Sequence, residues 1–209
     1  RNISYLFGGA QKLQKEGIVA EQSDSINYHL IATMIEVAKM VYKKLSVAVL
    51  FLMSTGGTVY IYKVTNGFST VNNTVLIWII FCISSFFNMY FAYYNSLLTG
   101  RGFVMQSKKA IMASRLTYII LSILLLYLGF GLLGTCIANL VSPFVGRYLS
   151  YKYFYDSEFL LNIKNQIITD SEKKDTFNTI WYNSKKIGIN LVGTYCINKF
   201  GMFLAGLYL

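Results

Sequence analysis

Between Arg115 and Arg147 the chain runs from Leu116 to Gly146 without one charged residue. At about 1.5 Å per residue, a single helix of that length would reach roughly 45 Å, well beyond the ~30 Å hydrocarbon core of a bilayer. Two helices fit if each borrows a few flanking residues, with the bend at Gly129-Phe130-Gly131 or at Gly134. The stretch therefore reads as a transmembrane hairpin whose two basic ends return to the same side. A pair of core helices in a soluble α domain is the competing reading, and it fails because the same pattern repeats elsewhere in the chain.

Composition points the same way. Hydrophobic residues make up 55% of the chain and charged residues only 13%, where a soluble domain carries about a quarter charged residues. The apolar runs are long rather than alternating, which predicts spanning helices and not a barrel. A net charge of +10 would suggest nucleic acid in a soluble protein. Here the charges lie between apolar segments, so membrane lipids or an anionic substrate are the expected partners and nucleic acid is not. Cys82, Cys136 and Cys196 are isolated within apolar runs. They read as small packing residues, with no disulfide framework and no metal site. The chain begins at Arg1 with neither an initiator Met nor a signal-peptide pattern, and ends at Leu209 inside an apolar segment. A piece of a longer protein is expected.

In order, residues 1–44 read as a loop with an amphipathic helix: 1–23 are too polar to span, and the helix that follows lies at the membrane surface and runs into the first span. Ser23 or Asp24 would cap that helix, and Ile26, Leu30, Met34, Val37 and Val41 recur at helical spacing. His29, the only histidine, has no metal-ligand company and reads as a surface or hydrogen-bonded residue. Four spans follow at about 45–62, 74–98, 113–131 and 134–150. Gly56-Gly57 would permit close packing in the first. Residues 151–186 read as a hydrophilic linker, part helix from Glu158 to Ile168 and part flexible, and 187–209 as the start of a fifth span. On this division every basic residue except Lys63 and Lys199 lies in the first, third or fifth connecting region. The positive-inside rule makes that side cytoplasmic.

Four segments carry a family resemblance: RNISYLFGGAQKLQKEG, YYNSLLTGRG, GFGLLGTCIANLVSPFVGRYLSYKYFY and WYNSKKIGINLVGTYCINKFGMFLAGLYL. Together they look like the Wzx-type O-antigen flippases, in the polysaccharide branch of the MATE-like flippase superfamily. The resemblance covers nearly the whole chain, and rests on ordered segments rather than a catalytic signature. It implies an all-α polytopic membrane fold of about twelve helices in two bundles, with both termini cytoplasmic. This chain would supply four helices of the N-terminal bundle, the linker, and the truncated first helix of the C-terminal bundle.

No enzyme signature is present, neither a phosphate loop nor HExxH nor CxxC, so no catalytic residue is expected. The residues of interest are polar ones inside apolar spans, which must find a partner or water there. Lys199 is the sharpest, about 18 Å into the fifth span if that helix starts near Ile187. It reads as an electrostatic contact for an anionic diphosphate or a site coupled to an ion, against snorkelling to the far interface. Asn190, Thr194 and Asn198 form a polar stripe beside it. The second span carries Ser84, Asn88 and Asn95 on one face, and the fourth carries Thr135, Asn139, Ser142 and Gly146. Such stripes serve either helix packing or a hydrated route. Pro143 should kink the fourth span, as a hinge or a static bend. Arg115 and Arg147 read as positive-inside anchors that would also attract phosphate at a cytoplasmic mouth. YLSYKYFY, Tyr148 to Tyr155, reads as an aromatic belt.

The resemblance implies flipping of undecaprenyl-diphosphate-linked oligosaccharide across the bacterial inner membrane by alternating access. Other polysaccharide-assembly proteins would be its partners. H+ or Na+ is the coupling ion to consider, and no cofactor is expected. A drug/ion antiporter of the same superfamily should show acids in its spans, and none is present. A polysaccharide polymerase or ligase should show long outer loops bearing Arg and His, and the outer connections here are short. A purely structural membrane subunit is the remaining alternative.

Overall fold

A computed structural model of the chain describes residues 2–9, 26–68, 73–182, 184–185 and 193–194. These are helical with short turns, and no strand occurs among them. The elements are α1 (Asn2–Phe7), α2 (Tyr28–Leu52), a π-helical turn (Met53–Gly57), α3 (Thr58–Val64), α4 (Thr74–Phe91) and α5 (Tyr93–Gly100). Then come α6 (Val104–Tyr127), α7 (Gly131–Phe154), α8 (Ser157–Lys164) and α9 (170–182). Four continuous helical stretches are long and apolar enough to cross a membrane: Tyr28–Val64, Thr74–Gly100, Val104–Tyr127 and Gly131–Phe154. The protein is an all-α polytopic membrane protein. Of the expected fifth span, 187–209, only residues 193–194 are described.

The uncharged run does fold into a hairpin. α6 ends at Tyr127, and the chain turns through Leu128–Phe130 with Gly129 at φ +85° and Gly131 at φ +54°. Glycine suits both positions because left-handed backbone carries no Cβ penalty there. α7 packs along α6 more extensively than any other pair of elements. The Ser114 hydroxyl donates to the Ser142 carbonyl at 2.8 Å. A Cβ on Gly146 would lie 3.1 Å from that of Ser114, so small residues set this close approach. α7 continues through Pro143, whose missing N–H leaves the Asn139 carbonyl without its helical donor. The Ser142 hydroxyl reaches that carbonyl at 3.5 Å.

The amphipathic stretch and the start of the first span are one helix, α2, which runs unbroken from Tyr28 into the apolar region. Its cap is Asn27, whose side chain accepts from the Leu30 amide at 3.0 Å, while Ser23 and Asp24 lie outside the described residues. The helix then widens into the π turn that contains Gly56-Gly57. Thr58 donates its hydroxyl to the Met53 carbonyl at 3.3 Å and accepts from the Trp78 indole of α4 at 3.0 Å. A Cβ on Gly57 would sit 2.9 Å from the Trp78 ring. Glycine there lets the two helices meet closely enough for that bond.

Large buried side chains concentrate at one end of the molecule. Ile3 and Leu6 of α1, Ile31, Met34 and Ile35 of α2, Tyr93, Tyr94, Leu97 and Leu98 of α5, and Phe154 and Phe159 form a single cluster. Along the spans the pattern is inverted, and residues such as Phe51, Ile120 and Ile123 are about two-thirds exposed. Water drives apolar side chains inward, whereas lipid exerts no such force. The clustered end is therefore the aqueous one. It is also the basic end, since Arg101, at the end of α5, donates to the Phe154 carbonyl and to Asp156 just past α7. Lys63 ends α3 at the opposite side.

Within residues 151–186 the described part is largely helical. α8 stops at Lys164 rather than Ile168, and α9 begins after a capping box. The Glu172 carboxylate accepts from the Thr169 backbone amide at 2.9 Å and from its hydroxyl. His29 lies against this corner, its Nε2 donating to the Ile167 carbonyl at 3.1 Å and standing 3.7 Å from Glu172.

Candidate functional site: a carboxylate-free cavity

A cavity of 510 Å³ opens between α2, α4, α5, α6 and α7. Its wall includes Asn88 of α4, Asn95 of α5, Arg115 of α6, and Asn139, Ser142 and Arg147 of α7. The two polar stripes in the second and fourth spans, and the two arginines that bound the uncharged run, thus face one space. Antiparallel packing of α6 on α7 produces this. Arg115 and Arg147, at opposite ends of the run in sequence, become neighbours across the hairpin.

The side chains differ in how far they are committed elsewhere. Asn88 donates to the Ser84 carbonyl at 3.1 Å and to the Ser84 hydroxyl at 3.3 Å, so its carboxamide oxygen is what it offers the cavity. The carboxamides of Asn95 and Asn139 have no hydrogen-bond partner among the described residues, and neither arginine has an acid partner there. The Arg147 guanidinium lies 4.9 Å from the Phe91 ring centroid, a contact that steadies the cation without neutralising it. Among the described residues no Asp or Glu lines the cavity. Two positive charges therefore face a space with free amides and hydroxyls and no competing carboxylate. Such a lining favours an anion that also carries hydroxyl groups.

Some stripe residues turn away. Ser84 is fully buried in helix packing, and its neighbour Ser85 lines the cavity instead. Thr135 donates to its own helix at the Leu132 carbonyl, 2.8 Å away, and is not part of the wall. Ser114 and Ser150 do line it. Both were missed because a serine near the charged end of an apolar run carries no pattern that separates interface from cavity. The hairpin's first arm, from Leu116 onward, contributes nothing to the wall. Of the stripe expected in the fifth span, Thr194 is helical and exposed, while Lys199, Asn198 and Asn190 lie outside the described residues.

No protein-family model matches the chain, and no curated protein or solved structure is significantly similar to it. The cavity therefore has to be read from its own chemistry. Among the described residues no group of three or more His, Cys, Asp or Glu side chains is placed to hold a metal ion.

Proposed function

We propose that the chain forms part of a flippase for lipid-linked oligosaccharides. It moves an undecaprenyl-diphosphate-linked O-antigen unit from the cytoplasmic to the periplasmic leaflet of the bacterial inner membrane by alternating access, driven by an ion gradient. No bond is made or broken. The observation that carries this reading is the convergence of Arg115, Arg147, Asn95 and Asn139 on one cavity without a carboxylate. Planar guanidinium groups match the geometry of phosphate oxygens. The free carboxamides and the serine hydroxyls suit sugar hydroxyls, which need both donors and acceptors. In the same proposal Lys199 neutralises further charge along the route.

A drug/ion antiporter is the second reading within transport. An acidic residue in the cavity would favour it, and none lines it among the described residues. The deciding experiment replaces Arg115 and Arg147 together by Gln in the whole protein and measures surface polysaccharide in cells. Loss of the polymer at normal expression is the expected result. Normal polymer would remove both arginines, and with them this reading.

A further inference from the structure

A second cavity, of 350 Å³, lies at the basic end between α2, α8 and α9 and shares no residue with the first. Its polar lining is Glu36, Lys39, Tyr155, Lys164, Gln166 and Lys173, backed by an apolar wall that includes Ile35 and Ile163. Lysines from three different helices thus line one space, with a single carboxylate in its lining among the described residues.

The lysines are available in different degrees. Lys39 pairs with Glu36 at 2.7 Å and Lys173 with Asp170 at 2.9 Å, each three residues away on its own helix. Asp170 is almost fully exposed and Glu36 nearly half exposed, so neither pair is locked by burial and both exchange partners readily. Lys164 makes no ion pair among the described residues. Burial pushes the Tyr155 phenol up from its ordinary value, which keeps its hydroxyl a donor across the physiological range. The apolar wall lowers the local dielectric and strengthens attraction for any anion that enters. The space exceeds a single phosphate and leaves room for a small polar head.

We propose that this cleft binds a phosphate-bearing anion of headgroup size, held by Lys39, Lys164 and Lys173, and that the bound anion ties α9 to α2. Three cations contributed by α2, α8 and α9 are separated by the solvated cleft when it is empty, and a shared anion links them. The phosphate can come from an anionic lipid headgroup or from a soluble diphosphate. The proposal stands or falls independently of the cavity around Arg115 and Arg147.

The test follows backbone hydrogen exchange of 170–182 in the full protein in nanodiscs. One arm adds inorganic pyrophosphate to zwitterionic nanodiscs, and the other replaces part of the lipid by phosphatidylglycerol without pyrophosphate. In at least one arm, exchange of α9 should slow about tenfold, and the arm that responds names the source. The triple variant Lys39→Gln, Lys164→Gln, Lys173→Gln should lose that protection, and Lys164→Gln alone, which breaks no ion pair, should lose part of it. Lys108→Gln with Lys109→Gln, exposed lysines outside the cleft, should retain it. Absence of protection in both arms overturns the proposal. So does protection that the Lys108/Lys109 variant loses as fully as the triple variant, since that would be diffuse surface attraction.

Discussion

Arg101 closes α5 with its guanidinium 2.8 Å from the Asp156 carboxylate, joining the end of the second span to the end of the fourth. The same group donates to the Phe154 carbonyl and lies 4.3 Å from the Phe159 ring centroid and 4.8 Å from that of Phe103. Its side chain is only 15% exposed. A planar cation with several donors is needed to satisfy a carbonyl, a carboxylate and stacked rings together, and lysine cannot do this. Arg101→Ala should destabilise the protein by about 2–4 kcal/mol, because it strands a buried carbonyl and unpacks the rings. Arg101→Lys should recover only part of that. Asp156→Asn should cost less than about 1 kcal/mol, because Asp156 is largely exposed. Thermal unfolding of the three variants checks the order. An Asp156 variant as damaging as Arg101→Ala would show the ion pair, rather than the cage, to be the stabilising contact.

Gly100, one residue earlier, is required by packing. A Cβ there would lie 2.5 Å from the Ile3 Cβ. Gly100→Ala should therefore cost about 1–3 kcal/mol by forcing α1 off α5. Combined with Ile3→Gly the two costs should fall short of additive, since that change removes both the Cβ and the Cγ2 that obstruct the new methyl group. Strict additivity in a double-mutant cycle would mean that α1 does not pack on α5 as described.

Ser122, towards the end of α6, has a buried hydroxyl with no hydrogen-bond partner among the described residues. An unsatisfied buried polar group is costly, and alanine is the better helix former. Ser122→Ala should therefore leave stability unchanged or raise it by up to about 1 kcal/mol. A clear drop in the melting temperature would reveal a partner for this hydroxyl.

Glu172 gives the linker a pH dependence. Hydrogen bonds from the Thr169 side chain and backbone hold its carboxyl below the usual glutamate range, with a smaller contribution from His29. A depressed carboxylate stabilises the folded form above its ordinary value and loses that contribution as pH falls through the folded value. Docking of α9 should therefore weaken below about pH 4.5, and Glu172→Gln should remove that dependence. Fluorescence of Trp181, which stacks on Phe177 at 5.7 Å, reports it in a Trp78→Phe background. An unchanged acid profile in Glu172→Gln would show that other groups govern the corner.

The box that caps α9 was open to reading in the sequence. Thr169-Asp170-Ser171-Glu172 has the residue types of an N-terminal capping box, but the charge density of the segment suggested a flexible linker instead. α1 gave a weaker signal. Its six residues, NISYLF, open a polar, glycine-containing stretch that read as loop, and Ile3 and Leu6 became core because α5 and α2 offer them a surface. The one-residue break in regular helix between α4 and α5 at Ala92 has neither proline nor glycine to announce it.

What the sequence determined by itself was where the chain meets lipid and which end is charged. Both follow from transfer free energies that act on each segment independently of its neighbours. Asn88, Asn95, Asn139, Ser142, Arg115 and Arg147 could be picked out for the same reason, since a polar group bordering an apolar run is conspicuous alone. Only the tertiary structure decided which of them share a space. Ser84 and Ser85 are adjacent in sequence, yet successive residues lie about 100° apart around a helix. The rotation of α4 against α7 put one into packing and the other onto the cavity. The crossing of the helices is a property of their contacts, and no single segment carries it. The uncharged run from Leu116 to Gly146 shows both sides of this: its composition required a hairpin, and the packing of that hairpin brought Arg115 and Arg147 to one cavity.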